Sequence, residues 1–273
     1  MADHPVVKCL QEAKVLWNRR QGSGCYRMGF QCDVGIATAA PGQFIMVRLK
    51  GQKIPMLRRP FSIHQVIKEG TRIKGFEILY KVVGQGTALL AGSRAGEGID
   101  VLGPLGRGFA LNSEHKTVFC IAGGIGVAPF MFLISRMLEA GFDMSRVAVF
   151  LGGRSRNDLL CTEDFKAVGV SLTLTTDDGS RGQRGLVTSP LEAAVKRSRP
   201  DMLYACGPVP MLQKVIALSK DYDLACQVSV ETVMACGMGA CLGCAVEGTT
   251  AHQPYRHACV DGPVFDAEDI ILR

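Results

Sequence analysis

Four cysteines within the last 40 residues have the types and spacing to do chemistry. Cys236-x4-Cys241-x2-Cys244, followed by Cys259 after fourteen intervening residues, matches the C-x4-C-x2-C...C spacing of plant-type [2Fe-2S] sites. Four thiolates would converge on two irons. Gly237, Gly239 and Gly243 would let a tight loop turn its backbone N–H groups toward the anionic sulfurs. Zinc is the alternative metal, although a zinc ribbon pairs two short C-x2-C knuckles and Cys259 has no cysteine three residues away. A thiol-redox pair at Cys241 and Cys244 is a further alternative, which leaves Cys236 and Cys259 without a role. His252 and His257 suggest a Rieske centre, but four cysteines already complete the shell, so both histidines are expected at the surface or beside the ligands.

Anion-binding signals come next. Gly123, Gly124 and Gly126, ahead of Pro129, follow an apolar strand and open a helical pattern. Backbone N–H groups and the helix dipole would meet there where a pyrophosphate can sit. A dinucleotide fingerprint wants a small residue where Pro129 stands, so a bare strand-to-helix turn remains the alternative. Cys206-Gly207-Pro208 repeats the design at a later strand end, and Asp177-Asp178-Gly179 ends another. Nearer the N-terminus, Arg59-Pro60-Phe61-Ser62 joins a guanidinium, a rigid turn and a hydroxyl, and Gly86-Thr87 offers backbone donors. An ordinary hairpin is the alternative reading of that segment.

The elements that must position these residues follow from hydropathy patterning. Over about the first 110 residues, short apolar-polar alternations at 44–48, 76–83 and 99–102 are separated by glycine and proline, which predicts a small antiparallel barrel or sandwich. Turn signals at Pro41-Gly42, Glu69-Gly70, Gly84-Gln85-Gly86 and Gly96-Glu97-Gly98 are too closely spaced to admit helices between them. From Thr117 the rhythm becomes buried strand, glycine turn, helix. Strands are expected over 117–122, 146–151, 170–175 and 202–205, with helices over 127–140, 158–167, 190–196 and 208–220. Alternating β and α predicts a parallel doubly wound sheet that binds ligands at its strands' carboxyl ends. After a last strand over 226–230 the chain enters the cysteine loop, a segment too short for a core of its own and expected to need a metal staple. The expected division is therefore a β-barrel domain over 1–110, an α/β domain over 111–225 and a small cluster domain over 226–273.

Composition excludes several classes. The chain has 273 residues, 47% hydrophobic and 21% charged, which excludes a low-complexity disordered chain, and its 32 glycines follow no collagen or coiled-coil period. The longest central apolar stretch, 127–134, contains Pro129 and falls well short of the ~18 residues of a membrane span. The first eight residues lack the pattern of a secretory signal, so a cytoplasmic location is the expectation. The net charge of +6 is spread in doublets such as Arg19-Arg20, Arg58-Arg59 and Lys196-Arg197, with one tryptophan, which argues against nucleic acid. Of 11 cysteines, the seven outside the cluster segment lie singly in or beside apolar runs and read as small buried hydrophobes.

Taken together, these motifs resemble the ferredoxin-NADP reductase superfamily, and most closely its dihydroorotate dehydrogenase B electron-transfer subunits, over nearly the whole chain. The resemblance implies that Arg59, Pro60, Phe61 and Ser62 bind FAD, continued by Leu79, Tyr80, Lys81, Gly86 and Thr87. Lys81 stands where arginine is usual, which removes a bidentate phosphate contact. Gly123, Gly124, Gly126, Cys206, Gly207 and Pro208 look like the superfamily's nicotinamide-nucleotide loops. NAD rather than NADP is implied by the resemblance, although Arg154 and Arg156 could meet a 2'-phosphate. The cysteine segment is similar to the subunit's cluster domain, with Cys236, Cys241, Cys244 and Cys259 as ligands. Bifurcating relatives carry an aspartate at one of those positions, whereas all four are cysteine here. Hydride carries two electrons and a cluster accepts one, so FAD is needed between them. The implied function is an electron relay in pyrimidine (UMP) biosynthesis. Electrons would pass from the FMN of a dihydroorotate dehydrogenase catalytic subunit through [2Fe-2S] and FAD to NAD+, in a heterotetramer of two subunits of each kind. The competing functions are a NAD(P)H-linked reductase subunit serving another client, such as a hydrogenase, and an iron-sulfur or zinc module that only binds a partner.

Overall fold

The computed structural model describes residues 9–22, 24–32, 38–51, 54–70 and 72–273. The N-terminal stretch 1–8 read above lies outside them, as does the Cys9 side chain. Six antiparallel strands, β1 (Cys9–Gly22), β2 (Cys25–Gln31), β3 (Phe44–Leu49), β4 (Arg59–Glu69), β5 (Arg72–Lys81) and β6 (Gly98–Leu105), close into a barrel in the order β1-β2-β5-β4-β3-β6. Alternation drives this closure. Met28, Phe30, Ile45, Val47, Ile63, Phe76, Ile78, Ile99 and Val101 point inward and are buried.

Between β5 and β6 the chain forms a helix, α1 (Gln85–Ala91), which corrects the expectation of turns alone. Its first turn is closed by the Thr87 hydroxyl, which accepts N–H bonds from Val83 and Gly84 at 2.9 and 3.1 Å and donates to the Gly84 carbonyl. Its last turn is held by Asn18 of β1, whose amide donates to the carbonyls of Leu90, Ala91 and Ser93. That distant side chain satisfies carbonyls a short helix leaves free.

The second layer is a seven-stranded sheet. Strands β7 (Val118–Gly123), β8 (Val147–Gly153), β9 (Ser171–Thr176), β10 (Gln183–Arg184), β11 (Met202–Cys206) and β12 (Cys226–Ser229) are parallel in the order β10-β9-β8-β7-β11-β12. Helices α2 (Phe130–Glu139), α3 (Thr162–Val168), α4 (Thr188–Arg197) and α5 (Val209–Asp221) alternate with them. The apolar run at 127–134 is explained by α2 lying between two cores: Phe130, Met131, Leu133 and Ile134 pack on the sheet, and Phe132 packs into the barrel core. No helix among the described residues is long and apolar enough to cross a membrane.

The C-terminal segment adds β13 (Ala245–Thr250), β14 (Gln253–His257), β15 (Val264–Asp266) and β16 (Ile270–Ile271). β14, β13 and β16 make a small sheet, and β15 pairs antiparallel with β12 as the seventh strand. Cys244, Val246, Ala258, Cys259 and Ile270 share one core with Phe119, Leu203 and Val228 of the large sheet and Met46 and Leu105 of the barrel. The segment's apolar residues thus borrow a core from both neighbours, in addition to the metal staple expected at its cysteines.

His64 on β4 is fully buried at 0% exposure. Burial, aided by nearby Arg27 and opposed by a bond to the Ala128 carbonyl and by Asp164, pushes its pKa down to about 4. The unfolded chain therefore takes up this proton first as pH falls. The stabilisation is complete above about pH 6.5 and is lost toward pH 4, a contribution of about 3 kcal/mol. Denaturant unfolding at pH 4.5 and 7.5 is expected to show this extra loss in the native chain and not in His64→Asn; carboxylate effects common to both cancel in the comparison.

Candidate functional site

The carboxyl ends of β7, β8, β9, β11 and β12 gather their loops beside the barrel, and two cavities open there. The first, about 310 Å³, is walled on the barrel side by Arg59, Pro60, Phe61, Ser62, Leu79, Tyr80, Lys81 and Thr87, and on the sheet side by Ile125, Gly126, Ala128, Pro129 and Cys206. The second, about 350 Å³, is lined by Gly123, Gly124, Arg154, Asp158, Asp177, Pro208, Met211 and Lys214. Lys81 reaches both cavities, and its ammonium lies 3.9 Å from Asp158. Of the predicted site residues, Gly86 stands outside the first cavity but beside it, where an added Cβ would lie 3.6 Å from Arg59 Nε. Gly207 lines neither cavity. It packs between the two loops, where a Cβ would sit 2.9 Å from Gly123 N and 2.7 Å from Met211 Cε. Arg154 lines the second cavity; Arg156 does not.

Each wall is held from outside the site. Tyr80 donates its hydroxyl to Asn18 at 3.1 Å and meets Phe61 edge-on at 5.6 Å, and burial raises its pKa. The Thr87 hydroxyl is committed to the α1 turn, which leaves backbone N–H groups as that segment's donors. The glycine turn is compact because Gly126 touches the end of β11: a Cβ there would fall 2.4 Å from the Cys206 carbonyl oxygen. Burial pushes the Cys206 thiol up to about 12, so it remains protonated in the cavity wall.

The sequence reading missed one wall altogether. Ser229, Val230, Glu231, Thr232, Met234 and Pro263 close the first cavity from the β12 side. Thr232 Oγ1 is buried and, among the described residues, has no hydrogen-bond partner, as expected of a polar atom that awaits a ligand. Glu231 lines the cavity although the residue as a whole is exposed, and desolvation raises the pKa of its carboxyl. Two polar residues directly after a buried strand were the available signal.

The four thiols sit as two pairs. Cys244 and Cys259 are 2% and 0% exposed with sulfurs 3.2 Å apart. Cys236 and the exposed Cys241 are neighbours, with Cys241 N–H donating to Cys236 Sγ at 3.4 Å and Met238 N–H at 3.5 Å. Burial would raise Cys236, but these N–H bonds outweigh it and lower its pKa to about 6. Burial and the facing Cys244 push Cys259 up to about 12. Gly237 and Gly239 have φ of +73° and +88°, the left-handed turns that wrap the loop around its sulfurs. Gly237 also lets the loop close on β3, since a Cβ would meet Met46 Cγ at 2.6 Å. Among the described residues no three metal-binding side chains converge on one point. Two pairs of soft thiols, Cys236 with Cys241 in the loop and Cys244 with Cys259 at the base of the β13–β14 hairpin, fit two metals better than one. His257 turns its N–H and ring toward Asp261, away from a ligand role.

Comparison with known proteins identifies the domains that carry these residues. Residues 231–271 match the family model for the iron-sulfur cluster binding domain of dihydroorotate dehydrogenase B, and residues 120–216 match the oxidoreductase NAD-binding domain. The chain is 36% identical over 262 residues, 95% of its length and 97% of the relative's, to the dihydroorotate dehydrogenase B (NAD(+)) electron transfer subunit of Desulforamulus reducens. It is 39% identical over 236 residues, 85% and 86% of the two chains, to the subunit of that name from Shouchella clausii. Among solved structures, an NADH-dependent reduced ferredoxin-NADP oxidoreductase studied for flavin-based electron bifurcation aligns with a TM-score of 0.82 and 27% identity, covering 95% of this chain and 90% of that one. The ferredoxin reductase of carbazole 1,9a-dioxygenase shares the fold, with a TM-score of 0.67 at 21% identity, over 80% and 66% of the chains. Identity above one third along nearly the full length of both chains shows that this chain belongs to the family of dihydroorotate dehydrogenase B electron transfer subunits.

Proposed function

We propose that this chain takes electrons from a dihydroorotate dehydrogenase catalytic subunit at its cysteine loop and delivers them to NAD+ at its second cavity, in pyrimidine biosynthesis. When bound, the [2Fe-2S] cluster supplies one-electron transfer, FAD the exchange between single electrons and hydride, and NAD+ the final acceptor. Arg59 and the N–H groups around Gly86 and Thr87 would neutralise the flavin's phosphates, with Lys81 contributing as a point charge. Pro60, Phe61, Ser62, Leu79 and Tyr80 would line its ring and ribityl chain. Gly123, Gly124 and Gly126 would bring backbone donors to the dinucleotide, and Cys206, Gly207 and Pro208 would hold the nicotinamide end. Cys236, Cys241, Cys244 and Cys259 would hold the irons.

The observation that carries this reading is the run 231–236. It begins as a wall of the first cavity and ends at the first cluster thiol, so the two sites are joined by a few covalent links. The outer side of the loop fits a partner. Cys241 is exposed, as are Met238 at 45% and Leu242 at 60% in the same loop and Val260 at 40% next to Cys259, apolar side chains of the kind interfaces bury. One-electron transfer between subunits requires that closeness. We infer a cytosolic complex with two copies of each subunit.

The test mixes the cofactor-loaded protein with the catalytic subunit of the same organism and follows dihydroorotate-dependent NADH formation. NADH is expected only with both subunits present. NADH that bleaches this chain's own flavin, with no dihydroorotate-driven turnover in the mixture, would reassign the client and leave the relay intact.

A further inference from the structure

A row of polar contacts runs between β4 of the barrel and α2 of the sheet layer. Lys68 pairs with Glu139, Gln65 donates to the Ser135 hydroxyl at 2.5 Å, and at the inner end His64 Nδ1 lies 2.6 Å from the Ala128 carbonyl oxygen. A carbonyl only accepts, so Nδ1 carries the hydrogen and Nε2 is the acceptor of a neutral ring. Nε2 faces the Cys161 thiol at 4.0 Å, a weak donor at the start of α3. Arg27 and Asp164, which bond to each other at 3.2 Å, complete the charged surroundings of the ring.

The bonded atom belongs to the glycine turn. Ala128 N–H donates to the Ile125 carbonyl at 3.0 Å, and Ile125, Gly126, Ala128 and Pro129 form the sheet-side wall of the first cavity. The facing wall includes Ser62, two residues before His64 on the same strand. One imidazole therefore ties the turn that separates the two cavities to the strand that carries the Arg-Pro-Phe-Ser motif.

We propose that His64 is a positioning residue, which fixes the 124–129 turn against β4 and thereby sets the distance between the flavin ring and the nicotinamide. The inference rests on the assignment of FAD and NAD to the two cavities. It adds a requirement that the cavity linings do not contain, because His64 lines neither. A hydride donor and acceptor react only within a narrow range of separation, so a turn released by even an ångström slows transfer without preventing binding.

The experiment uses the flavin-loaded full chain and the variants His64→Asn, His64→Gln and His64→Leu. An asparagine amide can place its N–H where Nδ1 stood, a glutamine amide places it near Nε2, and leucine has no donor. Flavin bleaching by NADH is followed by stopped flow over a range of NADH concentrations. His64→Leu and His64→Gln are expected to lower the limiting rate about 10- to 100-fold with little change in the half-saturating NADH. His64→Asn is expected to restore most of that rate, and dithionite should reduce the flavin of all variants alike. A His64→Leu protein that transfers hydride at the native rate would overturn the proposal, as would His64→Asn falling as far as leucine. Should leucine lose the flavin, the asparagine and glutamine pair decides by the same comparison. A native flavin that NADH does not bleach would instead overturn the assignment of the two cavities.

Discussion

Cys241→Ala is expected to abolish electron transfer between this chain and the catalytic subunit, while leaving the reduction of its flavin by NADH intact. Cys241 is the suitable ligand to remove because it is exposed. Truncating Cys244 or Cys259, at 2% and 0% exposure, would also open a cavity in the core shared with the sheet and so confound ligand loss with packing loss. Removal of Cys236 would strand the N–H groups of Met238 and Cys241. Iron and acid-labile sulfide content, the visible spectrum above the flavin bands and dihydroorotate-driven NADH formation are the measurements. Iron, sulfide and coupled turnover should all fall, with the flavin band and its bleaching by NADH retained. Coupled turnover that survives without iron would remove the cluster from the route. A native protein that holds zinc and no sulfide would move the segment to a structural role.

The second large effect is expected from Gly126→Ala. The substitution is small, and the backbone angle at Gly126 lies outside the left-handed region, so conformational strain is not the cause. The cause is contact. The new methyl would fall 2.4 Å from the Cys206 carbonyl oxygen, 2.6 Å from its carbon and 2.7 Å from Gly207 Cα. All three are backbone atoms at the end of a central strand and cannot rotate away. The turn must move instead, and a displacement near one ångström at reacting groups costs about 100-fold in rate. Stopped-flow reduction by NADH should slow by about that factor, with the cluster spectrum unchanged. Gly124→Ala is the control. Gly124 has φ of +54° with open space around its Cβ position, so alanine there carries a backbone penalty of about 1 kcal/mol and no collision. Because Gly124 lines the second cavity, its effect should appear in stability and in a raised half-saturating NADH, and only weakly in the limiting hydride rate. If Gly124→Ala slowed transfer as much as Gly126→Ala, close packing of the two loops would not be what positions the nicotinamide.

Much of this was legible in the chain because it is local. The C-x4-C-x2-C spacing lies within one loop, and the glycines that permit its left-handed turns, Gly237 and Gly239, lie between the same cysteines. The barrel alternation and the strand-turn-helix rhythm are periodicities of neighbouring residues, and the buried runs of β7 and β11 follow the second; β3 departs from the alternation expected over 44–48, because Ile45 and Val47 pack in the barrel while Phe44 and Met46 are covered by the core shared with the large sheet. Element ends shifted by a few residues, as for the expected helix over 158–167, observed as α3 at Thr162–Val168 after a short 3-10 turn. There the Asp158 side chain bonds back to the Ser155 N–H and delays the helix.

What could not be read locally depended on residues far apart. The segment after β5 reads as turns, and forms α1 because Asn18, more than 70 residues away, bonds its terminal carbonyls. The strand β15 reads as part of a small separate unit, yet it extends the large sheet because β12 presents an unpaired edge to it. Thr232 and Glu231 carry no motif, and join the first cavity only where the chain leaves β12 beside the barrel. His64 looks like an ordinary strand residue until α2 docks and brings the Ala128 carbonyl to its ring. The sequence by itself determined the kinds of chemistry and the local turns that carry them, since thiol spacing and glycine conformation are properties of adjacent residues. Only the tertiary structure decided which walls face each other across the two cavities, because those contacts exist only once the barrel and the sheet have closed around α2.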